Sequence, residues 1–289
     1  MAELDVIRDG GRVKVTDGAT VVAEYQVDLP IEPANTPKPF FHPLRTPGGV
    51  EITGFAPEDH VWHHGLAFAF PRVGGHNLWG GGTYLSPHEG YRDLDNQGSI
   101  RHAAWDDVSA DADGVSISHD LRWLGHEEQP LLTEHRSWRL HRAADAVVID
   151  LETTLTNASD AAIELATPGQ RGRADGGYGG LFLRLGHDFG AESLLDGARP
   201  VEASGHASRT LVVHGRTGSG EAVTLGLAFL PGSDGEQRWL YRFEPFSAIG
   251  WAVAYDDGFD LPVGGTLHFA HRLALADGHV EPAVMQSLL

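Results

Sequence analysis

Ala146-Val147-Val148-Ile149-Asp150-Leu151-Glu152-Thr153-Thr154-Leu155-Thr156 is the stretch on which the fold turns. From Ile149 onward apolar and polar residues alternate, the period-2 pattern of a strand with one face in a core. Asn157-Ala158-Ser159-Asp160 has the chemistry of a turn, and Ala162-Ile163-Glu164-Leu165 restarts the pattern beyond it. Strands are read on both sides. Upstream lie Val115 to Leu121 and Leu132 to Leu140; downstream lie Gly180 to Leu185, Thr210 to His214, Val223 to Phe229, Ala248 to Tyr255 and Thr266 to Leu275. Val6, Arg8, Val13 and Val15, followed by Thr20 to Tyr25, read as a hairpin across Asp17-Gly18. Gly65 to Phe70 is short, apolar and bounded by glycine and proline, so it reads as a buried strand. The run from Leu29 to Pro47 is rich in proline and is expected to be loop and edge structure. No long stretch carries the 3.6-residue period of an amphipathic helix. The expectation is all-β: one large antiparallel β-sandwich domain over residues 1–289, with long loops carrying histidines on one side.

Composition narrows the function. The chain has 21 Lys+Arg against 40 Asp+Glu, a formal charge of −19. That field repels phosphate backbones and anionic lipid, so no nucleic-acid or membrane partner is expected. Neutral ligands such as sugars are compatible with it, whereas an anionic substrate needs local arginines. The chain has no cysteine, which rules out disulfides and thiolate metal sites. No segment approaches the roughly 18 apolar residues of a membrane helix. Met1-Ala2-Glu3-Leu4-Asp5 lacks the basic and apolar regions of a signal peptide, and a cytoplasmic location is the expectation. Oligomeric state is left open.

Seven of the 17 histidines fall between His42 and His102, three of them in Asp59-His60-Val61-Trp62-His63-His64-Gly65. Imidazole titrates near neutrality and is the commonest metal ligand. His60 and His64 have i, i+4 spacing, but Val61 stands where a helical metalloprotease needs glutamate, and Trp62 and Gly65 disfavour a helix. On an extended backbone His63 and His64 point in opposite directions. One can then face a pocket while the other braces a loop. The plain alternative is a set of hydrogen-bonded structural histidines. No cofactor is expected, with a divalent metal on His60 and His64 as the alternative.

Three further segments supply candidates. Phe40-Phe41-His42-Pro43-Leu44-Arg45 sets His42 and Arg45 on proline-stiffened backbone. Thr167 to Gly180 is glycine-dense and lacks the phosphate-loop spacing, but Arg173 and Tyr178 can reach a ligand from it. Trp239-Leu240-Tyr241-Arg242-Phe243 alternates aromatic and other residues; such a set is either core packing or a sugar platform with Arg242 on substrate oxygen. Asp59, Glu89, Glu134 and Asp175 lie nearest these motifs, and Glu134 beside His135 is taken as the candidate carboxylate. A Gly-x-Ser-x-Gly nucleophile elbow is absent.

Several of these stretches together resemble the bacterial PmoA-like family: Phe40 to Val50, His60-x-x-His63-His64-Gly65, Gly98-x-Ile100-x-His102, Gly176 to Leu181 with Phe182-x-Arg184, and Phe246-x-x-Ile249-Gly250-Trp251. The resemblance spans about residues 36 to 278. It implies a carbohydrate setting by association and carries no established chemistry. Separately, Val148 to Asp160 is similar to the central strand and turn of galactose-mutarotase-like proteins. That likeness implies a large antiparallel β-supersandwich with an open sugar cleft worked by histidines and a carboxylate.

The expected function is therefore a carbohydrate-active protein on a sugar or oxidised sugar, mutarotase/epimerase-like or lyase/hydrolase-like. His63 or His64 would be the acid or base with Glu134, while His42, Arg45, His60, His102, Arg173, Tyr178, Trp239 and Arg242 bind substrate. The alternatives are a non-catalytic sugar-binding or oxidoreductase-partner sandwich, and a metal-dependent hydrolase or oxygenase on the His60-His63-His64 cluster.

Overall fold

The computed structural model of the protein describes residues 4–289. Of the N-terminal stretch read above, Met1, Ala2 and Glu3 lie outside the described residues. Two nine-stranded sheets dominate. The first runs Leu4–Asp9, Arg12–Asp17, Thr20–Gln26, Phe40–Leu44, Leu66–Ala69, Gly180–Arg184, Ala248–Ala252, Arg238–Arg242 and His206–Ala207. The second runs Arg199–Pro200, Gly190–Asp196, Thr210–Arg216, Ala222–Phe229, Thr266–Asp277, Ala146–Asn157, Pro130–Ala143, Gly114–Leu124 and Ser99–Asp111. Every pairing within both is antiparallel. The all-β antiparallel sandwich expected from the alternation is the observed fold.

Ala146–Asn157 pairs along its length with Pro130–Ala143 on one side and Thr266–Asp277 on the other. Val147, Ile149, Leu151 and Leu155 face the core. Its first residues are apolar on both faces because the short helix Pro282–Gln286 covers the outer one, with Met285 against Ala146 and Val148.

The sheets meet through large rings: Phe41 on Trp138 at 4.9 Å and Phe68 on Phe269 at 5.4 Å. Trp251 donates from Nε1 to the Ala228 carbonyl at 2.9 Å. Burying rings of this size is worth roughly 1.5–3 kcal/mol each before entropy is charged against it.

Alternation along the first sheet then decides the rest. Leu181, Leu183, Trp239, Ile249 and Trp251 point inward to the core. Phe182, Arg184, Leu240, Arg242 and Ala248 consequently occupy its outer face. A third layer of loops lies over that face: residues 57–64, residues 77–82, the hairpin Thr83–Ser86 with Gly90–Arg92, and residues 172–179.

The Pro-rich run departs from expectation. Phe40–Leu44 is an interior strand, hydrogen-bonded to both Thr20–Gln26 and Leu66–Ala69. The register shifts between Ala23 and Tyr25, so His42 and Pro43 lie where the ladder is interrupted and the missing proline N–H costs nothing. Ser99–Asp111, not among the strands read from the sequence, is an edge strand with few buried positions. No helix among the described residues is long and apolar enough to cross a membrane.

Candidate functional site

A cavity of about 320 Å³ opens on the outer face of the first sheet. Phe182, Leu240, Arg242 and Ala248 come from the strands below it, and Phe246 from the turn joining Arg238–Arg242 to Ala248–Ala252. His60, Trp62, His63, Trp79, Tyr91, Asp93, Arg173, Asp175 and Tyr178 come from the covering loops.

His63 is the buried polar centre of this wall, only 5% exposed. Arg184 Nη1 lies 3.2 Å from His63 Nδ1. A guanidinium is donor-only, so Nδ1 accepts and the proton of the neutral ring sits on Nε2. Nε2 has no protein partner among the described residues, yet it is not sealed from solvent, so it opens to the cavity. Burial pushes the His63 pKa well below the ordinary imidazole value, and the Arg184 guanidinium beside it pushes the same way. His63 is therefore a neutral N–H donor at neutral pH.

His60 stacks on His63 with ring centroids 4.7 Å apart. Its Nδ1 lies 2.8 Å from Asp59 Oδ2. The carboxylate accepts from Nδ1–H, which leaves Nε2 as the ring nitrogen free to meet a ligand. Burial acts to raise the Asp59 pKa; the His60 hydrogen bond and the Arg184 guanidinium outweigh it and hold the carboxyl below its usual value. Arg184 Nη2 is 3.7 Å from Asp59 Oδ1, so one buried guanidinium orders both histidines.

Aromatic rings form the rest of the surface. Phe246 lies 4.4 Å from His60, Phe182 5.0 Å from His63, and Trp79 4.9 Å from Phe182, all between centroids. Tyr91 and Tyr178 share a hydroxyl hydrogen bond of 2.7 Å at the mouth. Trp62 can lie flat over residues 80–81 because both are glycine. A Cβ on Gly80 would come within 2.4 Å of Trp62 Cβ, and one on Gly81 within 2.7 Å of the indole. Behind the wall, buried Lys38 donates to the carbonyls of Thr36, Trp62 and Trp79 at 3.1, 3.3 and 2.8 Å, tying two of the covering loops together. Burial lowers its pKa to about 7; the three carbonyl acceptors act in the opposite sense by engaging every ammonium proton.

The structure brings together five of the eleven candidate site residues chosen from sequence, His60, His63, Arg173, Tyr178 and Arg242, and with them Asp175. It places the others elsewhere. His64 turns away from His63, its ring against Phe40 and Phe55 and its Nε2 on the Val61 carbonyl at 3.0 Å; burial pushes it down to about 3. His42 bonds Thr53 Oγ1 at 2.9 Å, and Arg45 pairs with Glu51 at 2.8 Å. Trp239 is fully buried, because the alternation that puts Leu240 and Arg242 outward puts Trp239 inward.

Glu134 and His102 belong to a polar network on the far sheet. Glu134 accepts from Arg136 Nε at 2.6 Å, from Trp123 Nε1 at 2.6 Å and from Thr153 Oγ1 at 2.5 Å. Arg136 Nη1 donates to Tyr25 Oη at 3.2 Å. The Tyr25 hydroxyl then has His119 Nε2 as its acceptor at 3.0 Å, and His119 Nδ1 reaches His102 Nδ1 at 3.0 Å. With every oxygen of Glu134 engaged inside the sandwich, a substrate has no approach to it. The distant partners carry this outcome: Tyr25 and His119 are 94 residues apart.

Among the described residues no three His, Asp or Glu side chains are grouped so as to hold a metal ion. Sequence reading missed Trp62, Trp79, Tyr91, Asp93, Phe182 and Phe246 as cavity residues, and Arg184 as the residue that orders His63 from behind. The available signal was Arg184, an arginine inside the apolar run Leu181-Phe182-Leu183-Arg184-Leu185.

No curated protein matches the chain. A solved structure of a candidate aldose 1-epimerase from Escherichia coli K12 is similar over 96% of this chain and 99% of that one, at 11% identity and a TM-score of 0.37. A likeness that distant says nothing of activity. The family model that matches residues 12–289 is described only as one of unknown function and brings neither the PmoA name nor an activity with it. The chain belongs to that family, DUF6807.

Proposed function

We propose that the cavity binds a carbohydrate and carries out proton transfer on it. One observation carries the reading: His63 is fixed as a neutral Nε2–H donor beside His60, whose Asp59 partner leaves an Nε2 acceptor. A donor and an acceptor side by side, one buried and one partly exposed, suit a reaction in which a proton leaves while negative charge grows on oxygen. A neutral imidazole donor stabilises such an oxyanion without being consumed as an acid.

In mutarotation the sugar O1–H gives its proton to His60 Nε2, the C1–O5 bond breaks, and O5 gains charge against His63 Nε2–H. Reclosure on the other face of C1 reverses these movements and returns the proton. In epimerisation His60 Nε2 takes the proton instead from a carbon beside a carbonyl, and the electron pair moves into the carbonyl oxygen against His63 Nε2–H; once the enolate has turned its other face to His60, the same ring returns the proton and inverts that carbon. Trp62, Trp79, Phe182 and Phe246 offer apolar faces to sugar C–H groups. The cavity volume lies near the lower end of small-molecule sites, roughly 300–1,000 Å³. The PmoA-like resemblance adds a carbohydrate setting by association.

The test is a panel of aldoses, keto-sugars and oxidised sugars followed by NMR for anomer exchange, epimerisation and elimination. Wild type is compared with His60→Ala and His63→Ala. Turnover of one class that falls by about 10²–10⁴-fold in each variant supports the reading. Turnover unchanged in both, or no conversion of any sugar by wild type, overturns it.

A further inference from the structure

Arg173 and Arg242 are both half-buried in the cavity wall, and neither has a carboxylate oxygen within 4.0 Å among the described residues. Every other buried or half-buried arginine has one. The contrast is sharp in a chain with 40 acidic side chains against 21 basic ones. Unpaired guanidinium partly withdrawn from water loses solvation without compensation, so such groups are kept where an incoming anion completes them.

The Arg242 side chain makes no hydrogen bond among the described residues; its guanidinium lies over Phe246 at 5.3 Å. Arg173 lies over Tyr91 at 5.2 Å and Tyr178 at 5.9 Å, with one Nη1 bond to the Asp175 carbonyl at 3.3 Å. Arg242, Arg173 and both tyrosines line the same cavity. Phe246 also touches His60. Phe246 thus stands between Arg242 and the proton-transfer pair. Asp93 and Asp175 line the same cavity, but as exposed rim residues beyond pairing distance of either guanidinium.

We infer that the substrate is an anionic sugar whose carboxylate or phosphate is seated on Arg173 and Arg242; this rests on the carbohydrate reading above. The negative field of the chain as a whole opposes anions, so local guanidinium makes the site selective for an anion that also fits the aromatic walls.

Calorimetric titration of the full chain decides it. The probes are D-glucuronate and D-galacturonate, D-glucose 6-phosphate and D-galactose 6-phosphate, and the parent hexoses, each with wild type, Arg173→Gln, Arg242→Gln and the double variant. An anionic sugar is expected to bind about tenfold or more tighter than its parent, with the ratio falling toward one in the variants and partly retained in Arg242→Lys. Preference for the uronates identifies a carboxylate, and preference for the 6-phosphates a phosphate ester. Parent hexoses binding as tightly as both anions, or a preference that survives the double Gln variant, overturns this inference and leaves the carbohydrate reading standing. A folded wild type that binds none of the sugars removes both.

Discussion

Arg184 donates to His63 Nδ1 across 3.2 Å, from inside an apolar strand to a loop 121 residues earlier in the chain. This bond makes Arg184 a positioning residue: it acts on substrate only through the ring it orders. Arg184→Met leaves Nδ1 without its donor, and His63 is free to take either tautomer. Turnover of the active sugar class is expected to fall about 10²-fold, mainly in kcat, with a pH profile that acquires an imidazole titration. A merely structural arginine would lower stability and leave the profile of the surviving enzyme unchanged.

Gly81 has φ +64° and lies under the Trp62 indole. Gly81→Ala meets both obstacles, a left-handed backbone and a ring at 2.7 Å. We expect a stability loss of about 1–3 kcal/mol together with a changed tryptophan emission and weaker sugar binding. Emission and binding identical to wild type would remove Trp62 from the cavity wall.

Breaking the Glu134–Arg136 pair is a stability experiment rather than a catalytic one. Both side chains are fully buried, and Glu134→Gln leaves Arg136 charged without its counterion. Denaturant unfolding should show a loss of about 3–5 kcal/mol. The folded variant should keep its sugar affinity, because the pair lies between the sheets; affinity lost in a well-folded Glu134→Gln protein would tie Glu134 to the site.

Four buried histidines predict how the fold responds to acid. Burial lowers His64 and His271 to about 3 and His63 and His119 well below the ordinary 6.5. In the unfolded chain these rings take up protons near 6.5, whereas in the folded chain they do not. Below that pH the unfolded state therefore binds more protons, and stability falls as pH drops. Each ring contributes about 1.4 kcal/mol per pH unit once the pH is well under 6.5. Unfolding midpoints should be flat above about pH 7 and fall steeply toward about pH 5. A midpoint unchanged across that range would mean the rings are charged or exposed.

Alternation made the sandwich legible, and Ile149 to Thr156 alone identifies one strand face as core. It could not say which face of Trp239 to Arg242 meets the other sheet, and that choice separates a core tryptophan from a cavity arginine. Phe40–Leu44 was hidden by its prolines, which a bulge accommodates. The site was legible where a single loop carries it, as in Asp59 to His63, and where glycines mark a covering segment, as around Arg173 and Tyr178. Residues joined only by the fold were not legible. Arg184 meets His63, and Phe246 meets His60, across distances that no local pattern encodes. Glu134 and His102 drew attention for their chemistry, but burial within or against the sandwich engages that chemistry internally.

The most direct measurement is long-range 1H–15N NMR of His63 in labelled protein, titrated from about pH 8 to about pH 5, the range in which an unperturbed imidazole changes charge. The account predicts an unprotonated Nδ1, a protonated Nε2 and no titration over that range. A proton on Nδ1, or a ring that charges near its ordinary value, would contradict it.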